Sequence, residues 1–277
     1  MNALEIKNLS KTYPGFSLDH LSLTLPSGCI LGLIGENGAG KSTTIKLILD
    51  LIRADSGTIT LLGTEHTHLS REDIGVVLDE VGIPECLTAA QVGKVMKNLF
   101  KNWDNRRFED LLNQFSIPDG KIFKEFSRGM KMKLGIAVAM SHGARLLILD
   151  EATSGLDPVV RDEVVTMLSE FTRSEGHSIL ISSHIVSDLE KLCDYIAFLH
   201  KGKLMLHEEK DVLLSKYGIV HCTHEQLPLL SPAAVLHRKE NPYGAEVLVL
   251  RDAVPEEWKI SPVSIEELFV FMVKEAK

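Results

Sequence analysis

The sequence predicts an α/β fold built on a mostly parallel central sheet, and three observations carry that prediction. Three short apolar runs, CILGLIG (29–35), RLLILDE (145–151) and SILISSH (178–184), read as strands buried on both faces. Stretches of helical periodicity separate them, the pattern of a parallel sheet with helices on both sides. Two segments near the N-terminus, ALEIKNL (3–9) and SLDHLSLTL (17–25), alternate apolar and polar residues, as strands with one wet face do. These two add an antiparallel β subdomain to the parallel core.

The remaining elements follow in chain order. TTIKLILDLI (43–52) has helical spacing, and SGTITLLG (56–63) is a strand with turn residues at both ends. Residues 88–140 are mostly helical, with a break at SIPDGKIFKEFSRG, and form a helical insertion over about 80–140. A helix is expected over 158–173 and a final hairpin over YIAFLHKGKLMLH (195–207). Composition changes near residue 216. The segment 219–262 carries Pro228, Pro232, Pro242, Pro255 and Pro262 and reads as short strands and turns. SIEELFVFMVKEA (264–276) is then a helix with Ser264 as N-cap and Glu267 three residues on. The expected division is a main domain over 1–217 and a small α+β appendage over 218–277, without a chemical motif. Leu268, Phe271 and Met272 share one face of the last helix, as self-packing or as a dimer contact would require.

Length and composition bound the function. A chain of 277 residues with 44% hydrophobic residues can bury a sizeable core. The net charge, 30 − 38 = −8, argues against a general nucleic-acid binder. Cys29, Cys86, Cys193 and Cys222 are scattered without CxxC spacing, as reduced cytosolic thiols are. MNALEIKNLSKTYPGF lacks the apolar core of a secretory signal, and no apolar run approaches the ~20 residues of a membrane span.

GENGAGKST (35–43) fits G-x-x-x-x-G-K-[ST], between a predicted buried strand and a predicted helix. On average composition, on the order of 0.01 chance matches are expected in a chain this long. Gly35, Gly38 and Gly40 let the backbone turn its N–H groups toward phosphate oxygens, with Asn37 and Ala39 completing the loop. Lys41 would reach the β- and γ-phosphates of ATP, Ser42 would hold Mg²⁺, and Thr43 would add a hydroxyl near the α-phosphate. LLILDE supplies the acid such a loop needs: Asp150 to orient the metal, and Glu151 to act as general base on a water. His184 ends the next strand, at the end of a parallel sheet where ligands bind.

One stretch raises a question of charge. In EFSRGMKMKLGIAVAM (125–140), Leu134, Ala137 and Val138 share a helical face, and Arg128, Lys131 and Lys133 crowd the helix start. Cations are disfavoured there by the macrodipole, so a negative partner is expected. The order of motifs (phosphate loop, helical insertion, FSRGM, acid strand, SGLDP at 154–158, then His184) resembles the ABC ATPase family, a class of P-loop NTPase. The resemblance covers about residues 3–215. It implies that FSRGM stands for the family's LSGGQ signature. Ser127, Arg128 and Gly129 would then face the γ-phosphate of ATP held by a second ATP-binding subunit. That ATP would be the missing negative charge, Arg128 pointing either inward to the phosphate or outward. Lys131 and Lys133 also read as a solvated face. The resemblance further implies that Tyr13 stacks on adenine, a packed or surface aromatic being the alternative. It places Asp79, in IGVVLDE, where the family carries a Gln that touches Mg²⁺ or water. Asp is shorter and charged, so metal ligation by Asp79 is an expectation that departs from the family pattern.

The function implied is an ATP-hydrolysing subunit of an ABC transporter. It would sit at the cytoplasmic face of the cell membrane and drive separate integral membrane subunits. SRGMK and NWD (102–104) resemble the ATP subunits of bacterial exporters of antimicrobial or toxin peptides. Two rivals stand beside it: a soluble ABC ATPase acting on translation or DNA, and a P-loop small-molecule kinase. The first usually carries two ATPase units or a long coiled coil, neither visible here. The second needs no FSRGM–SGLD pair.

Overall fold

The computed structural model describes residues 1–65 and 71–274. The strands and helices are β1 (Asn2–Tyr13), β2 (Phe16–Pro26), β3 (Ile30–Ile34), α1 (Lys41–Ile48), β4 (Ser56–Leu61), β5 (Thr64–Glu65), β6 (Ile74–Val77), α2 (Ala89–Leu99), α3 (Asn105–Gln114) and α4 (Arg128–Met140). They continue with β7 (Leu146–Asp150), α5 (Pro158–Thr172), β8 (Ser178–Ser183), α6 (Val186–Leu192), β9 (Tyr195–His200), β10 (Lys203–Glu209) and α7 (Lys210–Lys216). Beyond lie β11 (Tyr217–Cys222), β12 (Val235–Asn241), β13 (Gly244–Leu250), β14 (Ile260–Ser261) and α8 (Ile265–Lys274).

The central sheet has the order β10-β9-β3-β8-β7-β6. Its β9-β3-β8-β7-β6 neighbours pair in parallel, and β10 closes it antiparallel. Every residue of β3, β7 and β8 is buried, which is why their sequences read as continuous apolar runs. Alternate side chains still sort onto two faces. Leu31, Leu33, Leu146, Ile148 and Leu180 pack with α1 and with a second sheet, β2-β1-β4-β5, which is antiparallel throughout. Ile30, Ile34, Leu147, Leu149 and Ile181 face the helices of the insertion together with α5 and α6.

The insertion is three helices, each with a side-chain cap. Thr88 and Gln91 form a capping box on α2, Asp104 caps α3, and Ser127 caps α4 by accepting from Met130 N at 3.3 Å. The break expected before α4 contains a short 3-10 turn, Phe123–Glu125. The expected helix over 43–52 stops at Ile48, because Asp50 turns left-handed at φ 55°. The third sheet, β12-β13-β11-β14, is antiparallel. One of its faces has its own core of Val220, Val247 and Val249. Ile219 and Leu248 on the other join the main core. Ser264 and Glu267 exchange the capping-box hydrogen bonds expected of them, at 2.9 and 3.1 Å. The helix they start packs on its own chain: Leu268 is fully buried, Phe269 meets Phe198 edge-on at 5.2 Å, and Phe271 and Met272 are partly buried. Residues 275 and 276 of the expected helix lie outside the described residues.

Candidate nucleotide site

The C-terminal ends of β3, β7 and β8 bring the predicted chemistry together. After Ile34 the chain loops through Gly35–Gly40 and enters α1 at Lys41. Gly40 is the N-cap at φ 112° and Gly38 has φ 82°, both left-handed values that favour glycine. A Cβ on Gly35 would stand 2.6 Å from Leu199 O, so the loop's start admits no side chain. A pocket of ≈ 440 Å³ opens above the loop, lined among others by Asn37, Gly38, Lys41, Ser42 and Thr43. Ala39 lies beneath it, 3% exposed.

Lys41 is 6% exposed and fully engaged within the chain. Its ammonium donates to Gly35 O at 2.7 Å and stands 3.2 Å from Glu151 Oε1. Glu151 Oε2 accepts from His184 Nδ1 at 2.7 Å and from His184 N at 3.4 Å. Glu151 itself adopts φ 55°, a costly conformation for a non-glycine residue that follows directly on β7. Beside it Asp150, 7% exposed, accepts from Ser182 Oγ at 2.5 Å. Lys41, Glu151 and His184 therefore form one chain of charge and hydrogen bonds spanning the three strand ends.

The donors fit a hard cation. The Ser42 hydroxyl is exposed toward the pocket and Asp150 presents a carboxylate, the oxygen chemistry that Mg²⁺ takes. Among the described residues no group of three His, Cys, Asp or Glu side chains is placed to hold a metal without further ligands.

The other predicted residues lie apart from this pocket. Ser127, Arg128 and Gly129 open α4. Arg128 Nη2 donates to Asp79 Oδ1 at 2.6 Å, and both side chains are about half exposed, 51% and 53%. They line a different groove, shared with Lys131 and Phe123. The crowded cations thus have partners in their own chain. Lys133 pairs with Glu163, and Lys131 sits over the Phe123 ring at 5.0 Å. The negative partner expected at this helix start is supplied within the chain for Arg128 and Lys133, by Asp79 and Glu163. Tyr13 ends β1 at 39% exposure, with Lys11 Nζ 5.5 Å from its ring centre, and does not line the phosphate-loop pocket.

Several residues at the site carried no motif signal. Gly15 and Phe16 line the pocket mouth. Asp55 pins the end of β1 by accepting from Lys11 Nζ at 2.8 Å and Thr12 N at 2.7 Å. Buried His200 stands 3.5 Å from the Glu36 carboxylate of the loop. Only Ser182 was within reach of sequence reasoning, since ISSH sets it beside the acid strand.

Comparison with known proteins shows the family. Residues 18–154 match the ABC transporter family. The chain is 30% identical to the ABC transporter ATP-binding protein YtrB of Bacillus subtilis, over 96% of this chain and 97% of that protein. It is 38% identical to the lantibiotic transport ATP-binding protein SrtF of Streptococcus pyogenes, over 75% of this chain and 91% of that protein. A solved ATP-binding subunit of an ABC transporter superposes with TM-score 0.68 at 28% identity, over 76% of this chain and 90% of that chain. The chain belongs to the ATP-binding subunits of ABC transporters, ATPases whose hydrolysis of ATP is coupled to transport.

Proposed function

We propose that this ATPase works as a head-to-tail dimer in which two ATP molecules lie between phosphate loops and facing signatures. Two observations support the reading: Lys41, Glu151 and His184 converge beside an open phosphate loop, and Arg128 lines a different groove from that loop, so the signature is left for a phosphate held elsewhere. The loop N–H groups and the start of α1 bind the phosphates. Lys41 leaves Glu151 for the β- and γ-phosphates. Glu151, oriented by His184, takes the proton of a water as its oxygen attacks the γ-phosphorus and ADP leaves. Mg²⁺, held by Ser42 and Asp150, would neutralise phosphate charge when bound. Tyr13 stacks on adenine, and Ser127, Arg128 and Gly129 meet the partner's γ-phosphate.

The main domain over 1–217 does this work, and the insertion over about 80–140 passes the motion to separate membrane subunits. The chain sits as a peripheral subunit on the cytoplasmic face of the membrane, and among the described residues no helix is long and apolar enough to cross it. Similarity to lantibiotic and bacitracin transport ATP-binding proteins supports export of an antimicrobial peptide. Tagged chain expressed with its neighbouring genes tests the assembly. Co-purification of a multi-span membrane protein supports it, and recovery of the chain with nucleic acid or ribosomes would overturn it.

A further inference from the structure

Two positions at which this chain departs from the family pattern touch each other. Arg128 stands in the signature where glycine is usual, and Asp79 stands where Gln is usual. In the structure Asp79 follows β6 by two residues and Arg128 opens α4. These elements are already packed, since a Cβ on Gly135 of α4 would lie 3.2 Å from both Val77 and Val81. The ion pair at 2.6 Å extends that contact to the solvent edge. It also aims the guanidinium across SGLDP: a Cβ on Gly155 would stand 3.0 Å from Arg128 Nη1. Gly155 has φ 67°, so the backbone under the guanidinium is held open by a glycine.

We infer that Asp79 is a positioning residue for Arg128, holding its guanidinium across Gly155 and competing for it with the γ-phosphate of the facing subunit. The inference rests on the ATP-sandwich reading. One carboxylate oxygen of Asp79 is engaged by an arginine, and the residue lines the Arg128 groove rather than the phosphate-loop pocket. Arg is suited to such an exchange, because its planar fork pairs with carboxylate and phosphate alike. The pair is also weak enough to open. Half-exposed ion pairs are worth little, so release adds a factor of about two to five per pair. A symmetric dimer opens two pairs, and the factor is squared.

The test is a double-mutant cycle in the Glu151→Gln background, with dimerisation on ATP followed by analytical ultracentrifugation. Asp79→Asn is expected to tighten the dimer about 4- to 25-fold, the square of that surface-pair factor, and less in high salt. Arg128→Ala is expected to weaken it. In the Arg128→Ala background, Asp79→Asn is expected to change nothing. Weakening by Asp79→Asn in both backgrounds would overturn the inference and assign Asp79 to the metal or the fold. No effect in either background would overturn it too. If Glu151→Gln alone fails to dimerise with ATP, the sandwich reading is rejected and the inference falls with it. Dimerisation without an Asp79 effect rejects the inference only.

Discussion

Replacing Glu151 by Gln removes the charge facing Lys41 and keeps the side chain's shape. Lys41 is 6% exposed and Glu151 13%, at 3.2 Å, so solvent screens this pair little. Breaking a buried ion pair from one side costs about 3–5 kcal/mol when the remaining charge is left uncompensated. Here Lys41 keeps Gly35 O at 2.7 Å and Glu36 O at 3.4 Å, and Gln keeps a dipole. The expected loss in the ligand-free protein is therefore about 1–3 kcal/mol, the scale of one lost hydrogen bond to a charged group. If Lys41 leaves Glu151 for phosphate when ATP binds, the wild type gives up this same energy on binding and the variant does not. Glu151→Gln should then bind ATP about 5- to 150-fold more tightly, at 1.4 kcal/mol per tenfold. Urea denaturation without nucleotide and calorimetric titration with ATP read the two sides. Equal stability and equal affinity would refute the pair itself. Reduced stability with unchanged affinity would show that Lys41 stays with Glu151 when ATP is bound.

Three further outcomes are expected. Tyr13→Phe should keep ATP affinity, and Tyr13→Ala should lose roughly 1–3 kcal/mol, the scale of base stacking on an aromatic ring; equal affinities in titration would reject stacking. Hydrogen bonds from Lys11 and from the backbone of Thr12 hold the Asp55 carboxyl below its ordinary value of 3.8. A lowered carboxylate stabilises the fold above its ordinary value and loses that contribution as pH falls through its folded one, so Asp55→Asn should remove a stability loss seen in acid melts below about pH 4; identical acid profiles would contradict it. Native-state alkylation should modify Cys86, which is exposed, and spare Cys193, whose thiol burial pushes well above its ordinary value; rapid labelling of Cys193 would contradict its burial.

What the sequence made legible was local. The phosphate loop, the acid strand and His184 lie at the ends of continuous apolar runs. Full burial on both faces writes those runs into the composition, and the site follows from where they stop. The cap read at Ser264, with Glu267 three residues on, stands where the last helix begins. The losses were of two kinds. Elements too short to show a period, β5 of two residues and α6 of seven, went unread. Pairings across distance went unread as well. Arg128 and Asp79 are 49 residues apart, and Lys133 and Glu163 are 30 apart. No spacing rule links either pair, so Arg128 and Lys133 look unneutralised in sequence, and the fold supplies Asp79 just after β6 and Glu163 on α5. Asp55 reaches the Tyr13 end of β1 across 43 residues in the same way.

In the proposed dimer each ATP is hydrolysed between the phosphate loop of one subunit and the signature of another. Mixing two disabled chains distinguishes this from hydrolysis within one chain. Lys41→Ala removes the phosphate-loop cation, and Gly129→Asp sets a negative side chain in the signature facing the partner's phosphate. Each variant alone should show almost no ATP turnover. An equal mixture forms some dimers in which an intact loop faces an intact signature. Half the dimers are mixed and each holds one whole site of two, so turnover should recover to at most about a quarter of the wild-type rate in a head-to-tail pair. A mixture no more active than its separate parts, or full turnover by either variant alone, would contradict the shared site.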